Sequence, residues 1–335
     1  MVRVAVDAMG GDNAPGEIVK GCLEALRKSP EVKILLCGKP EVLEQELAGQ
    51  SYPAERLETV PASEVIETGD SPVISVRKKK DASLVVGMKL IREERADAFV
   101  SAGNSGAILV GGQVLVGRLP GVERAPFAPL IPTEDGGATL LLDSGANVDA
   151  KAAHLVQFAQ MGSLYMERAL GIRSPRVAIL NVGLEEEKGN ALVKATYPLL
   201  QATPGINFIG SIEAREVLHG QADVCVAEAF TGNMVLKAIE GTAATFQTII
   251  KRAAMSNLRS KIGAALLKPA LKEALKGFDA SRYGGAPMLG LRGLVVKVHG
   301  NAKAAEVCNA VLQCETYHRE NILQSIAEAV NVGER

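Results

Sequence analysis

The sequence predicts a Rossmann-like α/β/α sandwich with a mostly parallel sheet, and three observations point to this fold class. Short apolar runs, typical of buried parallel strands, recur along the chain. A loop rich in Gly and Asn follows each run, and a stretch with helical periodicity follows each loop, which is the pattern of βα units. Hydrophobic residues make up 47% of the 335 residues and charged residues 22%, so the chain can bury a sizeable core.

Five βα units account for most of the chain. Their strands are expected at residues 2–6, 98–100, 139–142, 177–182 and 224–226. We also expect strands at 32–37, 206–210 and 293–298, an antiparallel strand at 126–131 and a final helix at 302–329. Because no Pro/Ser-rich linker divides the sequence, we expect one large α/β/α domain over residues 1–335, from which a helical segment at 251–278 protrudes.

The bulk composition bears on several classes of protein. A net charge of -1 gives no global signal for nucleic-acid binding. The N-terminal residues lack the apolar stretch and cleavage site of a secretory signal, and no window of 18 uncharged apolar residues could span a bilayer. The five cysteines form no Cys-x-x-Cys pair, which favours free thiols in a reducing compartment. We therefore expect a cytoplasmic protein.

The loops that follow the five strands are the main candidates for function. Open α/β sheets bind ligands at the carboxyl ends of their strands, Gly lets a ligand approach the backbone, and helix N-termini offer free N–H groups. We therefore expect the loops to share one sheet edge and to bind a small anion, most simply phosphate. The candidates in the first two loops are Asp7, Gly10, Gly11, Asp12, Asn13, Gly103, Asn104, Ser105 and Gly106. Those in the later loops are Asp143, Asn147, Asn190, Thr231, Gly232 and Asn233.

Ordinary turn chemistry is the alternative interpretation of any single loop, because Asn is a good N-cap and Gly is common in βα turns. No loop matches a nucleoside-triphosphate P-loop or a clean dinucleotide-binding G-x-G-x-x-G pattern, and the chain has no G-x-S-x-G serine-hydrolase motif. The four histidines lack metal-ligand spacing. We expect neither a metal nor another cofactor.

Three further features could contribute to a site. Lys188 precedes a helix in an acidic loop, where it could pair with phosphate or with a developing oxyanion, although a solvated lysine is the alternative. Tyr283, Gly284 and Gly285 form a loop that a ligand could approach closely, or a plain turn. His299 follows an apolar run and could reach the loop edge, whereas a lone histidine is more often structural.

Taken in order, the motifs resemble the phosphate acyltransferase family of bacterial phospholipid synthesis. The resemblance covers residue 2 to about residue 325 and rests on the motifs at 7–15, 101–107, 143–162, 188–190, 230–233, 283–291 and 299–300. It implies a fold related to isocitrate and isopropylmalate dehydrogenases and to phosphotransacetylases, and it implies a homodimer. The implied reaction transfers a fatty acyl group from acyl carrier protein to inorganic phosphate. The acyl phosphate would then supply a membrane glycerol-3-phosphate acyltransferase.

A hypothesis about the mechanism of this reaction assigns roles to individual residues. Lys188 and Asn233 would contact the phosphate or the oxyanion, and backbone N–H groups of residues 103–106 would cradle the phosphate. Asp7, Asp12 and Asp143 would orient the loops, because bare carboxylates repel phosphate. The family usually has Gly-Asn-x-Glu-Gly where this chain has Gly-Ser-Ile-Glu-Ala at 210–214, Asp-Gly where it has Glu228-Ala229, and Ser-Ser where it has Asn301-Ala302. The departures that bear on the site are those at Ser211, Glu228, Ala229 and Asn301.

Residues 251–276 carry seven Lys or Arg and one Glu, and apolar residues recur among them with helical spacing. We expect Gly263 and Pro269 to divide the segment into two short helices. It could pack on its own core or on a dimer partner, or it could meet acyl carrier protein or an anionic membrane. The residues proposed for such a surface are Leu258, Arg259, Lys261, Ile262, Leu266 and Lys268.

Three alternative functions remain at this point. A decarboxylating dehydrogenase on the related fold would need an Arg cluster for its substrate, which the sequence does not offer. A short-chain phosphotransacetylase would differ in the length of the acyl group that it accepts. A non-catalytic membrane scaffold for lipid enzymes would bind liposomes and leave acyl thioesters intact.

Overall fold

A computed structural model describes residues 1–275, 277 and 280–332 of the chain. Its strands are β1 (Val2–Asp7), β2 (Val32–Gly38), β3 (Leu57–Pro61), β4 (Ala98–Ser101), β5 (Leu130–Pro132), β6 (Ala138–Leu142), β7 (Arg176–Asn181), β8 (Asn207–Glu213), β9 (Val224–Val226), β10 (Ala286–Met288) and β11 (Leu294–Lys297). Its α-helices are α1 (Gly16–Lys28), α2 (Pro40–Leu47), α3 (Pro72–Lys78), α4 (Ser83–Arg92), α5 (Ser105–Gly111), α6 (Ala152–Leu170), α7 (Ala191–Ala202), α8 (Ala229–Ala254), α9 (Leu258–Ala274), α10 (Ala304–Arg319) and α11 (Ile322–Val332). Alpha-helix α5 continues into a π-helical turn at Gly112–Val116.

The chain divides into two compact units, each built around its own sheet. The first unit comprises Met1–Leu130, Gln160–Ser174 and the residues from Ser281 on, and the second comprises Ile131–Ala159 and Pro175–Ala280. The prediction of one domain over the whole chain stays a prediction.

The first unit contains a six-stranded sheet in the order β10-β11-β4-β1-β2-β3. All neighbouring pairs are parallel except the edge pair β10–β11. Strand β1 is buried along almost its whole length, as its apolar sequence predicts for a central parallel strand. Helices α4 and α10 both contact the central strands, and α1 packs on α10.

The second unit contains a five-stranded sheet in the order β5-β6-β9-β7-β8. Strands β6, β9, β7 and β8 are parallel. Their apolar side chains form a core that includes Leu141, Leu180 and Cys225, against which Val235 and Ile239 of α8 pack. These observations confirm the fold class as mixed α/β with mostly parallel sheets.

The expectation that all five loops share one sheet edge is wrong. The loops after β1 and β4 belong to the first sheet, and those after β6, β7 and β9 belong to the second. Hydrophobic runs identify the strands, but they carry no information about which strands pair. The predicted helix at 302–329 is also interrupted, because α10 ends at Arg319 and α11 begins at Ile322. Of the two residues between them, Asn321 adopts a positive φ of 50° that a continuous helix does not allow.

Helices α8 and α9 form the predicted protruding hairpin, but the break between them lies elsewhere than expected. Alpha-helix α9 runs through both Gly263 and Pro269, and the turn lies before Asn257, whose side chain caps α9. Pro269 is tolerated because α9 is exposed, so water can satisfy the carbonyl group that loses its partner. Residues 276 and 278 of the expected segment lie outside the described residues.

No helix within the described residues is both long enough and apolar enough to cross a membrane. The five cysteines are free and buried, as predicted from their odd number and spacing.

Candidate functional site

In the first unit, a buried carboxylate joins two adjacent loops. Asp7 ends β1 and is 2% exposed. Its Oδ1 accepts a hydrogen bond of 2.6 Å from the Ser83 hydroxyl, and its Oδ2 accepts one of 2.7 Å from the Ser101 hydroxyl at the end of β4. Burial raises the pKa of Asp7, and the two hydroxyl hydrogen bonds oppose that shift. Asp7 therefore holds the ends of the neighbouring strands β1 and β4 together.

The same network brings the backbones of the two loops into contact. The Ser101 hydroxyl accepts a hydrogen bond of 3.0 Å from the backbone N–H of Gly103 while it donates to Asp7. A Cβ at Gly10 would collide with the Asp7 carboxylate and would lie 3.0 Å from the Cα of Gly103. Only glycine fits at position 10, and the close approach leaves the adjoining backbone groups well defined.

Asn104 caps α5 and also anchors the segment before α3. Its Oδ1 accepts a hydrogen bond of 3.0 Å from the N–H of Ala107, and its Nδ2 donates to the carbonyl oxygens of Glu67, Thr68 and Asp70. Its amide group is thus fully used within the protein. The backbone N–H groups of Ser105 and Gly106, at the start of α5, have no hydrogen-bond partner among the described residues.

Asn13 and Asp12 connect the β1 loop to the loop after β11. The Asn13 Nδ2 donates to the carbonyl oxygen of Asn301 at 2.8 Å and to that of Ala302 at 3.2 Å. The Asp12 N–H donates to the carbonyl oxygen of Gly300 at 2.7 Å, and a Cβ at Gly11 would lie 3.0 Å from the same oxygen. These contacts use only the backbone of residue 301, so they do not depend on the side chain of Asn301.

Of the other candidates in this unit, His299 is exposed, whereas Gly284 and Gly285 are closely packed. The His299 Nδ1 accepts a hydrogen bond of 3.4 Å from the N–H of Asn301. A Cβ at Gly284 would lie 2.7 Å from the backbone nitrogen of Ala310, and one at Gly285 would lie 2.5 Å from the carbonyl oxygen of Lys297. The glycines after Tyr283 therefore allow close packing on α10 and β11, as a structural turn would require.

In the second unit, Asp143 at the end of β6 organises its own loop. It is fully buried, and its carboxylate accepts hydrogen bonds from the N–H groups of Ala146 and Asn147 and from the Asn147 side chain. The carbonyl oxygen of Asn147 in turn accepts from the N–H of Ala229, at the start of α8. Asp143 and Asn147 thus fix the β6 loop and place the N-terminus of α8 beside it.

The N-terminus of α8 is satisfied by the protein itself. The Glu228 carboxylate accepts hydrogen bonds from the N–H groups of Phe230 and Thr231 and from the Thr231 hydroxyl. The longer Glu side chain thus acts as an N-cap where the family has Asp. A Cβ at Gly232 would collide with the carbonyl oxygen of Asp143. Thr231 and Gly232 therefore help to pack the N-terminus of α8 against the β6 loop.

Asn233 differs from the other loop asparagines. Its side chain is half-buried and makes no hydrogen bond among the described residues. A Cβ at Gly145 would lie 3.5 Å from the Asn233 Oδ1, so the amide faces the β6 loop. Gly145 has a φ of +114°, which glycine adopts without strain. The Nδ2 of an asparagine that makes no hydrogen bond within the protein is available to donate one to an anionic oxygen.

Lys188 follows β7, the strand that neighbours β9 in the sheet. Its Nζ lies 2.7 Å from the Glu185 Oε1, and this hydrogen bond raises the pKa of Lys188. The pair is exposed. The following helix, α7, is capped by Asn190, whose Oδ1 accepts from the N–H of Val193 at 2.9 Å. Lys188 is therefore a solvent-accessible cation at the carboxyl edge of the second sheet.

The structure adds three polar residues that the sequence analysis did not identify. Ser83 and Ser101 hold Asp7, and Asn181 donates to the Lys188 carbonyl oxygen and to the Ser211 hydroxyl. Ser211, one of the departures from the family pattern, thus accepts a hydrogen bond from Asn181. The position of Ser101 directly at a strand end was a usable signal, whereas nothing in the sequence links Ser83 to Asp7. Among the described residues, no cluster of three His, Cys, Asp or Glu could hold a metal ion.

Comparison with known proteins identifies the family. A family model described as "Fatty acid synthesis protein" matches residues 2–325. The phosphate acyltransferase of Alkaliphilus oremlandii (strain OhILAs) is 45% identical over 330 residues, which cover 98% of each chain. The chain belongs to the phosphate acyltransferase family. The family member from Brevibacillus brevis is also 45% identical, over 98% of this chain and 97% of its own. The protein is accordingly an acyltransferase that transfers an acyl group to phosphate.

Solved structures of phosphotransacetylases share the fold of this phosphate acyltransferase. The enzyme from Streptococcus pyogenes has a TM-score of 0.62 at 14% identity and covers 95% of this chain and 94% of its own. The EutD phosphotransacetylase from Staphylococcus aureus has a TM-score of 0.56 at 17% identity, with 94% of each chain covered. At these identities the similarity establishes the fold alone.

Proposed function

We propose that the protein transfers a fatty acyl group from acyl carrier protein to inorganic phosphate, and that the acyl phosphate supplies a membrane glycerol-3-phosphate acyltransferase for phospholipid synthesis. The observation that carries the proposal is 45% identity to a phosphate acyltransferase over 98% of both chains. The family description, which names fatty acid synthesis, favours a carrier-bound fatty acyl group as the donor.

The proposed reaction needs no nucleophile from the protein. A phosphate oxygen attacks the thioester carbonyl carbon, a tetrahedral oxyanion forms, and the carrier thiolate leaves and takes up a proton. The protein must hold the phosphate close to the thioester and stabilise the oxyanion. Each unit supplies its own candidate groups. In the first unit, we assign the free N–H groups of Ser105 and Gly106 to phosphate. In the second unit, we assign the side chains of Lys188 and Asn233 to an anionic oxygen of the phosphate or of the oxyanion.

The decisive assay is incubation of the purified protein with acyl-acyl-carrier protein, with and without phosphate. We expect loss of the thioester that depends on phosphate, together with acyl phosphate trapped by hydroxylamine as a hydroxamate. Loss of the thioester without phosphate, or no loss at all, would overturn the proposal.

A short-chain phosphotransacetylase is the second candidate, favoured by the shared fold. A series of acyl lengths separates the two, because a fatty acyl transferase prefers the long members.

The Ser101 network yields a first mutational prediction. Ser101→Ala removes a hydroxyl that both donates to the buried Asp7 and accepts from Gly103. We expect the free energy of unfolding to fall by about 1–3 kcal/mol, because Asp7 loses a partner in a buried site. We also expect the KM for phosphate to rise, because the loop that ends at Gly106 loses its anchor.

Ser83→Ala is the matched control for this prediction. Ser83 donates to the other oxygen of Asp7 and does not bond to Gly103. It should therefore lower stability to a similar extent while it leaves the KM for phosphate nearly unchanged. Urea denaturation and phosphate titration measure the two effects. Equal changes of KM in both variants would contradict a specific role of Ser101 in loop positioning.

The hairpin supports a second proposal, that the protein associates peripherally with anionic membranes. Leu258, Ile262 and Leu266 lie on exposed faces of α9, and Leu266 is 78% exposed. They are accompanied by the exposed cations Arg259, Lys261 and Lys268. Apolar side chains with basic neighbours suit the surface of an anionic bilayer, where each cation contributes up to about 1 kcal/mol.

We expect the protein to sediment with vesicles that contain anionic lipid and to be released by salt. Replacement of Leu258 and Leu266 by Ser should reduce sedimentation without loss of turnover in solution, because α9 buries none of its residues. Sedimentation that is equal with neutral vesicles, or that persists in high salt, would contradict the proposal.

The homodimer implied by the resemblance is a further proposal, which the molar mass from light scattering tests.

A further inference from the structure

The short helix α3 presents an unusual exposed face. Its buried side consists of Ser75 and Val76. Val73 is 63% exposed and Ile74 is 54% exposed, and the exposed cations Arg77 and Lys78 follow one turn later. Residues four apart lie on the same side of a helix, so Val73 stands beside Arg77 and Ile74 beside Lys78. These four residues form what we call the α3 face.

The charge of the α3 face is not neutralised by the protein. Arg77, Lys78 and the nearby exposed Lys80 form no ion pair among the described residues. The acidic residues that flank the helix are already engaged, because Asp70 pairs with Lys79 at 2.6 Å and Asp81 accepts two hydrogen bonds from Ser63. Three cations and two aliphatic side chains are thus available to a partner.

The α3 face is rigidly connected to the loop after β4. The Nδ2 of Asn104 binds three carbonyl oxygens in the segment that leads into α3. At the helix start, a Cβ at Gly106 would lie only 2.5 Å from the Cγ of Pro72. The first turn of α3 therefore packs directly on Gly106, whose backbone N–H we assigned to phosphate.

We propose that the α3 face is the docking surface for the acyl carrier protein, an inference that rests on the proposed function. An acidic carrier protein complements the three unpaired cations, which would steer its approach and fix its orientation. Val73 and Ile74 supply the apolar centre that a small interface needs. Docking beside Gly106 would deliver the thioester to the loop that holds phosphate. A bilayer fits this face less well than it fits the hairpin, because α3 offers only two exposed aliphatic side chains.

The double variant Arg77→Glu/Lys78→Glu tests the proposal in the full-length protein. We expect the KM for acyl-acyl-carrier protein to rise about tenfold or more, because like charges then face each other across the interface. The kcat at saturating donor and the KM for phosphate should remain unchanged. Calorimetry with the carrier protein should show the same loss of affinity, and added salt should weaken the wild-type complex more than the variant complex.

Two further variants sharpen the test. Arg27→Glu/Lys28→Glu makes the same charge change in the last turn of α1, where an Arg–Lys pair is also exposed, and it should leave both constants at the wild-type values. Val73→Ser/Ile74→Ser should raise the KM for the donor without any change of charge.

The possible outcomes separate this inference from the proposed function. Normal turnover with an unchanged KM and affinity in Arg77→Glu/Lys78→Glu would overturn the docking surface and leave the reaction intact. Weakened binding only in Lys261→Glu/Lys268→Glu would place the carrier on the hairpin instead. A changed molar mass of the α3 variant would assign the α3 face to a second copy of the chain. If wild-type protein neither binds the carrier nor consumes its thioester, both proposals fail.

Discussion

Replacement of Asn233 by Ala is expected to lower kcat/KM for acyl transfer by about 10²–10³, the typical loss when one oxyanion donor is removed. The Asn233 amide is half-buried, faces Gly145 and has no hydrogen-bond partner among the described residues. Its position is well defined, because Glu228 caps the helix and Gly232 packs on Asp143. The amide is therefore held in place without being used by the fold.

This placement predicts that Asn233→Ala changes turnover and not stability. The initial rate of acyl phosphate formation and the midpoint of urea unfolding measure the two quantities. Asn257→Ala is the matched control, since Asn257 caps α9 through its Oδ1 at 2.9 Å. It should cost about 1 kcal/mol of helix stability and leave turnover in solution intact. Wild-type turnover in Asn233→Ala would remove Asn233 from the mechanism.

Asn233 also shows where inference from the sequence alone ends. The sequence places one asparagine in each of the five loops, and they are equivalent as patterns. In the structure, Asn104 and Asn190 cap helices, and Asn13 and Asn147 tie loops together. Each of these four amides makes at least one hydrogen bond that the fold requires. Whether an amide is already bonded depends on backbone positions far away in sequence, which no local pattern contains.

The central strands could be predicted because each is a short apolar run that is buried on both sides. Strands β3 and β10 were not predicted, and β3 is a partly exposed strand with polar residues in its sequence. The division of the strands into two sheets could not be predicted, since pairing depends on the packing of the whole chain. The same limit applies to Asp7. The repulsion between a bare carboxylate and phosphate suggested an orienting role for Asp7, and the structure supplies its partners Ser83 and Ser101. Ser83 lies 76 residues away from Asp7 in sequence.

The departures from the family pattern become intelligible through the same contacts. Residue 301 contributes its carbonyl oxygen to Asn13 and its N–H to His299, so these contacts do not depend on its side chain. Glu228 supplies an N-cap carboxylate, and Ser211 supplies a hydrogen-bond acceptor for Asn181. Ala229 is buried at the first position of α8, where its N–H donates to Asn147 and no positive φ is required. None of the four removes a group that the proposed mechanism uses.

Lys188→Ala is the second substitution with a large expected effect, a fall of about 10² in kcat/KM if the ammonium group stabilises phosphate or the oxyanion. In the structure the ammonium is held by Glu185 at 2.7 Å in a pair that is exposed to solvent. Exposed ion pairs are weak, so an incoming phosphate can replace Glu185 at little cost. The hydrogen bond to Glu185 raises the pKa of Lys188, and a lysine at its ordinary pKa is already a cation at neutral pH.

Glu185→Gln separates the role of the cation from that of the ion pair. If Glu185 only holds Lys188 until phosphate arrives, its removal should lower the KM for phosphate or leave it unchanged, and kcat should persist. If the ion pair itself shapes the loop, Glu185→Gln should lose activity as Lys188→Ala does. Lys194→Ala, on the exposed side of α7, controls for the loss of one positive charge. Phosphate titrations of the three variants decide between these outcomes. If Glu185 only holds Lys188, phosphate competes with Glu185 for the ammonium group, so Lys188→Ala weakens phosphate binding and Glu185→Gln does not.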